Sequence, residues 1–373
     1  MDIAKAYREF AWKLACAQLD NRQNDCAAPF GLWTLLTAIY AGAEGTAEAE
    51  LSQLLFSGVN GTVSDLLHDT GALSKAVSAQ DAIRQNSTEI QTVEIDQLLP
   101  EYLTMLRSAF GNTLKICDSG TSEALLLTSE MRFYEEWQQK FKETHRPFFI
   151  PTHVENPTYI HYIPQEIPFL YQTSQVGYRQ QAEAVSVTLP FKSKKKQQDP
   201  MPHASSLFSM FSALSEMGSA SAFKMVLTMP LHKTVWEYMH GQERLPHELY
   251  PYTGNTLCDL YIPAFEIENK QKDFIPVLRS LGLDNVFEEH SSELTKITQD
   301  PLYISRVQQD ARIEVNATGA SAHALTSVMI NTTVGIADDP VPEIVRFDHP
   351  FLFSLWLTEP VQIPLFIGVF HGK

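Results

Sequence analysis

The order of its periodicities constrains this chain more than any one motif. Helical spacing runs to about Phe110, strand-like alternation takes over from Leu125, and no internal repeat or clean linker divides the two. Ile3, Tyr7, Phe10, Leu14 and Ala17 mark an amphipathic first helix, and further helices are predicted over Phe30–Gly42, Thr46–Phe56, Val63–Arg84 and Pro100–Phe110. Pro29 and Gly45-Thr46 supply start signals for two of them. Strands are predicted over Val185–Phe191, Phe223–Met229, Leu260–Phe265, Ala311–Ala317, Leu352–Leu357 and Ile363–Phe370, each short and bounded by Pro, Gly or Asp. One late helix, Asp273–Leu281, carries Phe274, Val277, Leu278 and Leu281 on one face. Helices first and strands later predicts an α+β fold, and residues 1–373 are read as one domain.

A net charge of −16 excludes nucleic acid and anionic membrane as main partners and suits a protein that meets other proteins. The apolar run Phe30–Ala43 is too short, and too interrupted by glycine, to cross a bilayer. Met1-Asp2-Ile3-Ala4-Lys5 opens straight into helix with no basic-then-apolar leader, so a cytoplasmic location is expected. Asn-x-Ser/Thr sequons at Asn60, Asn86, Asn316 and Asn331 keep export by an internal signal or an unconventional route as the alternative. Cys16, Cys26, Cys117 and Cys258 show neither a paired nor a metal-binding spacing and are read as free thiols. No metal and no cofactor are expected, and the chain is expected to be a monomer.

Two segments do not read as packed structure. Residues 192–222 separate two convincing strands and are rich in Lys, Ser, Gln, Pro and Met. The cluster Lys192, Lys194, Lys195 and Lys196 fits a solvated insertion loop better than a docking patch. The second segment is 319–342. Ala320, Ala322, Ala324, Thr326 and Val328 share one parity, and Ser321, His323, Leu325 and Ser327 share the other. In a strand this turns small or β-branched side chains to one face. Gly319 offers the backbone freedom of a hinge. The polar run from Asn331 to Pro340 reads as exposed and cleavable.

Motifs in a shared order carry a resemblance over nearly the whole chain. They are Ala41-Gly42-Ala43-Glu44-Gly45-Thr46 early on, Phe133 with Trp137 and Phe141 in the middle, and Leu257–Phe265 with Leu283-Asp284-Asn285-Val286-Phe287 later. Pro301-Leu302-Tyr303-Ile304-Ser305, Ile313-Glu314-Val315-Asn316 before Gly319, and Phe347-Asp348-His349-Pro350-Phe351 complete the set. In these the sequence resembles the serpin family. The resemblance implies helices packed on a large central β-sheet, additional sheets, and a reactive-centre loop over 319–342. It implies a protease inhibitor that acts as a suicide substrate. The protease cuts the loop, and the freed strand enters the large sheet with the protease still attached. The hinge would be Gly319, Ala320, Ala322 and Ala324, with Trp137 where the loop enters the sheet.

Some positions depart from the family pattern. Ala317 stands where the hinge usually has an acidic residue, and His323 and Leu325 replace very small ones. By alignment Ala28, Ser129 and Gln309 replace the serine, asparagine and histidine of a central polar cluster. Between Cys117 and Leu125 there is no room for the helix that normally lies across the sheet. The alternative function is therefore a non-inhibitory scaffold that binds a protein or ligand.

The family's loop spacing places the reactive bond at Thr333-Val334, which suits an elastase-like serine protease. Asp338-Asp339 is the other candidate and would point to an aspartate-specific caspase or granzyme-like protease. An enzyme is not expected. Gly319-Ala320-Ser321-Ala322-His323 falls one residue short of a nucleophile elbow, and neither His247-Glu248 nor His240-Gly241-Gln242-Glu243 completes a zinc motif.

Overall fold

The computed structural model of the protein describes residues 2–19, 22–92, 94–118, 125–152, 161–192, 221–289, 293–320 and 341–372. Its helices are α1 (Ile3–Gln18), α2 (Pro29–Tyr40), α3 (Gly45–Phe56), α4 (Val63–Ser78), α5 (Pro100–Phe110), α6 (Val235–His240) and α7 (Ile275–Ser280). The strands are β1 (Asp25–Ala27), β2 (Ile83–Thr92), β3 (Lys115–Asp118), β4 (Leu125–Phe133), β5 (Glu135–Glu136), β6 (Lys142–Thr152), β7 (His161–Gln180) and β8 (Ala184–Pro190). They continue with β9 (Phe223–Pro230), β10 (Thr256–Pro263), β11 (Phe265–Asp273), β12 (Ile304–Val315), β13 (Gly319–Ala320), β14 (Glu343–Arg346), β15 (Phe351–Leu357) and β16 (Ile363–Phe370).

Helix α2 sets the architecture. It is apolar on all sides and buried at every position, so it can lie only in the interior. It packs against β2 and β4 of one sheet and β16 of the other. The first sheet has five strands in the order β11-β12-β4-β2-β3. The second runs β1-β16-β15-β9-β8-β7-β10-β14, with β6 paired to β7. Gly31 lets α2 close on β4, because a Cβ there would stand 2.4 Å from Ser129 Cβ. Strands β15 and β16 are buried at every position, and Phe351 and Phe370 meet with ring centres 5.4 Å apart.

The α+β reading holds, and the misreadings have physical causes. The helix predicted to run to Arg84 stops at Ser78, because Thr88, Ile90 and Thr92 alternate inward and commit the following segment to β2. Leu260–Phe265 is not one strand: β10 ends at Pro263 in the second sheet, and β11 begins at Phe265 in the first. The hairpin β6–β7 went unread because it is polar and carries Pro147, Pro151, Pro164 and Pro168. Those prolines fit because β6 is an edge strand and β10 pairs with β7 only from Phe169 onward.

A buried carboxylate ties the two sheets together at β1. Asp25, 6% exposed, accepts from Asn269 Nδ2 at 2.8 Å and from the Cys26 N–H at 2.8 Å, and pairs with the Lys272 ammonium. A bulge in β11 between Asn269 and Lys272 brings both side chains to it. Lys272→Met strands the carboxylate and is expected to lower stability by about 3 kcal/mol. Urea unfolding measures this, and a loss under about 1 kcal/mol would mean that the pair behaves like an exposed one.

Candidate functional site

The site is the seam between β4 and β12 together with the turn that follows β12. Along β4, Leu125, Leu127, Ser129, Met131 and Phe133 are buried, while Leu126, Thr128, Glu130 and Arg132 point outward. Strand β12 alternates in the same way, with Val307, Gln309, Ala311, Ile313 and Val315 inside. The two strands run parallel, with Thr128 opposite Gln308, Ser129 opposite Gln309, Glu130 opposite Asp310 and Arg132 opposite Arg312.

Arginine thus faces arginine and carboxylate faces carboxylate across the seam. Their partners lie elsewhere. Arg132 pairs with Glu130 of its own strand at 2.9 Å, Arg312 with Glu266 of β11 at 2.7 Å, and Asp310 accepts from the Gln271 N–H at 2.6 Å. On the inner face a single side chain clasps the seam. Gln309 Nε2 donates to Ser129 Oγ at 3.1 Å and to the Ala28 carbonyl at 2.8 Å, while its Oε1 accepts from the Ala28 N–H at 3.1 Å. Ala28, Ser129 and Gln309 therefore form one connected knot joining β12, β4 and the start of α2.

The outer face of this sheet is built for water. Lys115 pairs with Glu89 and Lys270 with Glu268, each at 3.0 Å, beside the arginine pairs already named. Positions 119–124 alone connect β3 to β4. Even fully helical, a run of that length would reach only about 9 Å, less than half the width of five strands at about 4.8 Å spacing.

The hinge follows β12. Gly319 and Ala320 pair antiparallel with Glu136 and Glu135, just beyond the end of β4. The backbone of Gly319 is not among those with positive φ. What the position demands is the lack of a side chain: a Cβ there would come 2.2 Å from the Glu135 carbonyl oxygen. Trp137 is 2% exposed and stacks on Phe191 with centroids 4.5 Å apart. Its indole N–H donates to the Asn316 carbonyl at 2.9 Å, and its backbone N–H to the Thr318 carbonyl at 3.0 Å. Core packing and a grip on the turn after β12 thus coincide in one residue. The turn capped by the Asn316 carboxamide was not read, although Asn-x-Thr-Gly is a turn signature.

Ala322, Ala324, Thr333, Val334, Asp338 and Asp339 lie outside the described residues, as does nearly all of 192–222. Lys192, at its edge, pairs with Glu136 at 3.2 Å. All four cysteines are free, and burial pushes the Cys16 thiol up to about 12 and the Cys258 thiol up to about 11. Among the described residues no metal-binding group of side chains gathers, and no helix is long and apolar enough to cross a membrane.

Comparison with known proteins agrees with this geometry. The family model described as Serpin (serine protease inhibitor) matches residues 109–371. The chain belongs to the serpin family. Iripin-2 of Ixodes ricinus is 26% identical over 416 aligned positions, covering 98% of this chain and 92% of that protein. The solved native state of the thermophilic serpin Tengpin superposes with a TM-score of 0.76 at 18% identity, covering 99% of this chain and 94% of Tengpin. AtSerpin1 of Arabidopsis, in its native stressed conformation, gives a TM-score of 0.74 at 15% identity over 99% and 98% of the two chains. Members of the family are generally protease inhibitors rather than catalysts. In this serpin, Gln309→Leu leaves both backbone groups of Ala28 without their partner and is expected to cost about 2–3 kcal/mol. Ser129→Ala removes one neutral bond and is expected to cost about 1 kcal/mol. Denaturant titration of both variants checks the order, and equal losses would show that Gln309 does not act through Ala28.

Proposed function

We propose that this serpin is a protease inhibitor of the suicide-substrate kind and not an enzyme. A protease attacks the loop 319–342, and the freed strand enters between β4 and β12 before the acyl-enzyme is hydrolysed. The observation that supports this most directly is register. Gly319 and Ala320 already pair with Glu136 and Glu135, in the antiparallel sense. Carried forward, that register brings Ala322 level with Phe133, Ala324 level with Met131 and Ala311, Thr326 level with Ser129 and Gln309, and Val328 level with Leu127 and Val307.

The chemistry matches at each level. Small residues would meet the large inner side chains Phe133 and Met131, and the apolar Val328 would meet Leu127 and Val307. The hydroxyl of Thr326 would arrive where the Gln309–Ser129 bond must open, offering a replacement partner to each. On the other face His323 would stand level with Arg132 and Arg312, and Leu325 level with Glu130 and Asp310. That face carries charged, partly exposed side chains, so His323 and Leu325 would meet charge and water there rather than packed core. Each Val or Ile buried on insertion contributes about 1.5–3 kcal/mol, and the new strand adds hydrogen bonds along both its edges.

Melting intact and loop-nicked protein side by side tests the reading. The nicked form is expected to melt well above the intact one, and equal midpoints would rule insertion out in favour of a binding scaffold. Ala322→Arg places a charge at an inward level with no partner and is expected to turn an inhibitor into a substrate. Persistence of an SDS-resistant complex in that variant would break the register. We place the reactive bond at Thr333-Val334, with an elastase-like protease as partner. Mass spectrometry of the released C-terminal fragment is expected to show Val334 as its first residue. A fragment beginning at Asp339 would move the bond to Asp338-Asp339 and the target to an aspartate-specific protease.

A further inference from the structure

At the end of β12 the chain reverses over Asn316–Gly319, and one carboxamide organises the reversal. Asn316 Oδ1 accepts from the Thr318 N–H at 3.0 Å, the Thr318 hydroxyl at 2.8 Å and the Gly319 N–H at 3.1 Å. Its Nδ2 donates to Glu314 Oε1 at 3.0 Å. The Asn316 backbone N–H donates to the Gly319 carbonyl at 3.0 Å and closes the turn. The segment after β5 holds the turn from outside: the Trp137 indole and backbone N–H groups bind the Asn316 and Thr318 carbonyls, and the Phe141 N–H binds the Ala317 carbonyl at 2.9 Å.

We propose that Asn316 is a positioning residue for strand insertion: its side chain holds a preformed turn that fixes the direction and register in which the loop enters the seam. This rests on the suicide-substrate reading above. The physical reason is conformational entropy. Reversing a free chain fixes the dihedrals of several residues before the first cross-strand bond repays them. Here the reversal already stands, with two residues of the incoming strand paired beyond β4. What remains is propagation along the seam, each step adding bonds to residues already aligned. Without the carboxamide, the Thr318 and Gly319 N–H groups lose their acceptor and the turn is less firmly preformed, leaving more of the reversal to be fixed at each attempt. The Asn316 side chain bonds to Glu314, Thr318 and Gly319, all within the turn and its own strand, so its effect falls on the rate of insertion rather than on the completed ladder.

The test uses full-length protein, nicked in the loop briefly in the cold by a broad-specificity protease and then quenched. Resistance to a heat challenge set between the melting points of the intact and nicked forms is followed against time. Wild type is expected to gain resistance. Asn316→Ala is expected to gain it at least tenfold more slowly while reaching the same final midpoint. Asn316→Asp keeps the accepting oxygen and is expected to recover to within about threefold of wild type. Both variants abolish the Asn-Ala-Thr sequon, so a glycan cannot explain a difference between them. Thr318→Ala removes only one of the three donors and is expected to fall between wild type and Asn316→Ala, which keeps the test alive if the latter folds poorly. Equal rates in wild type and Asn316→Ala, or no recovery in Asn316→Asp, would overturn the positioning role alone. A wild type that gains no resistance would overturn insertion itself, and this inference with it.

Discussion

Strands β4 and β12 lie side by side and parallel in the middle of a sheet, and much of the molecule's behaviour follows from that pairing. Parallel ladders are slightly weaker per residue than antiparallel ones. A strand entering between these two in the register begun by Gly319 and Ala320 would run antiparallel to both. One parallel interface would be exchanged for two antiparallel ones. The side chains do little to protect the existing seam. Like charges stand opposite on its outer face, and their ion pairs point along β4 or away to β11. The sheet is closed chiefly by its backbone ladder and by what lies beneath it.

Beneath it lies Gln309. A buried carboxamide can make several hydrogen bonds, and this one binds both backbone groups at the N-cap of α2 as well as the hydroxyl of Ser129. Its placement is enforced from below, where Gly31 lets α2 approach β4 closely enough to put the helix start within reach. Replacing the family's polar cluster by residues of different length therefore does not leave loose ends. It yields a knot in which one residue carries most of the connections, and only its bond to Ser129 crosses the seam.

Much of this was legible in the sequence, and what was hidden has identifiable reasons. The continuous apolar run of β16 follows from composition alone, whereas the parity of β4 was masked by Leu126 on its outer face and Ser129 on its inner one. The β6–β7 hairpin escaped because polar residues and prolines occupy strand positions that only an edge can tolerate, and edges are defined by topology, not by local sequence. The close approach of the Glu135 carbonyl to Gly319 was hidden, because that neighbour is remote in sequence. Asn316 lay inside a quoted motif without a role, since a carboxamide's partners depend on the turn it sits in. The loop that would carry the reactive bond was read from alternation and family spacing, which specify its parity better than its length.

The β3–β4 connection, too short to carry a helix across the sheet, bears on how such a seam would open. Where a helix covers the sheet, separating two strands also means moving the helix and breaking its contacts. Here the outer face already carries hydrated charges, and opening β4 from β12 exposes little new apolar surface on that side. Resistance to opening must then come from the inner face, from the ladder, the Gln309 knot and the packing of Met131, Val307 and Ile313. A barrier held by fewer elements is lower, and a lower barrier favours premature insertion as much as productive insertion. The bonds from Trp137 and Phe141 to the Asn316, Ala317 and Thr318 carbonyls hold the turn after β12 level with β5, outside the seam.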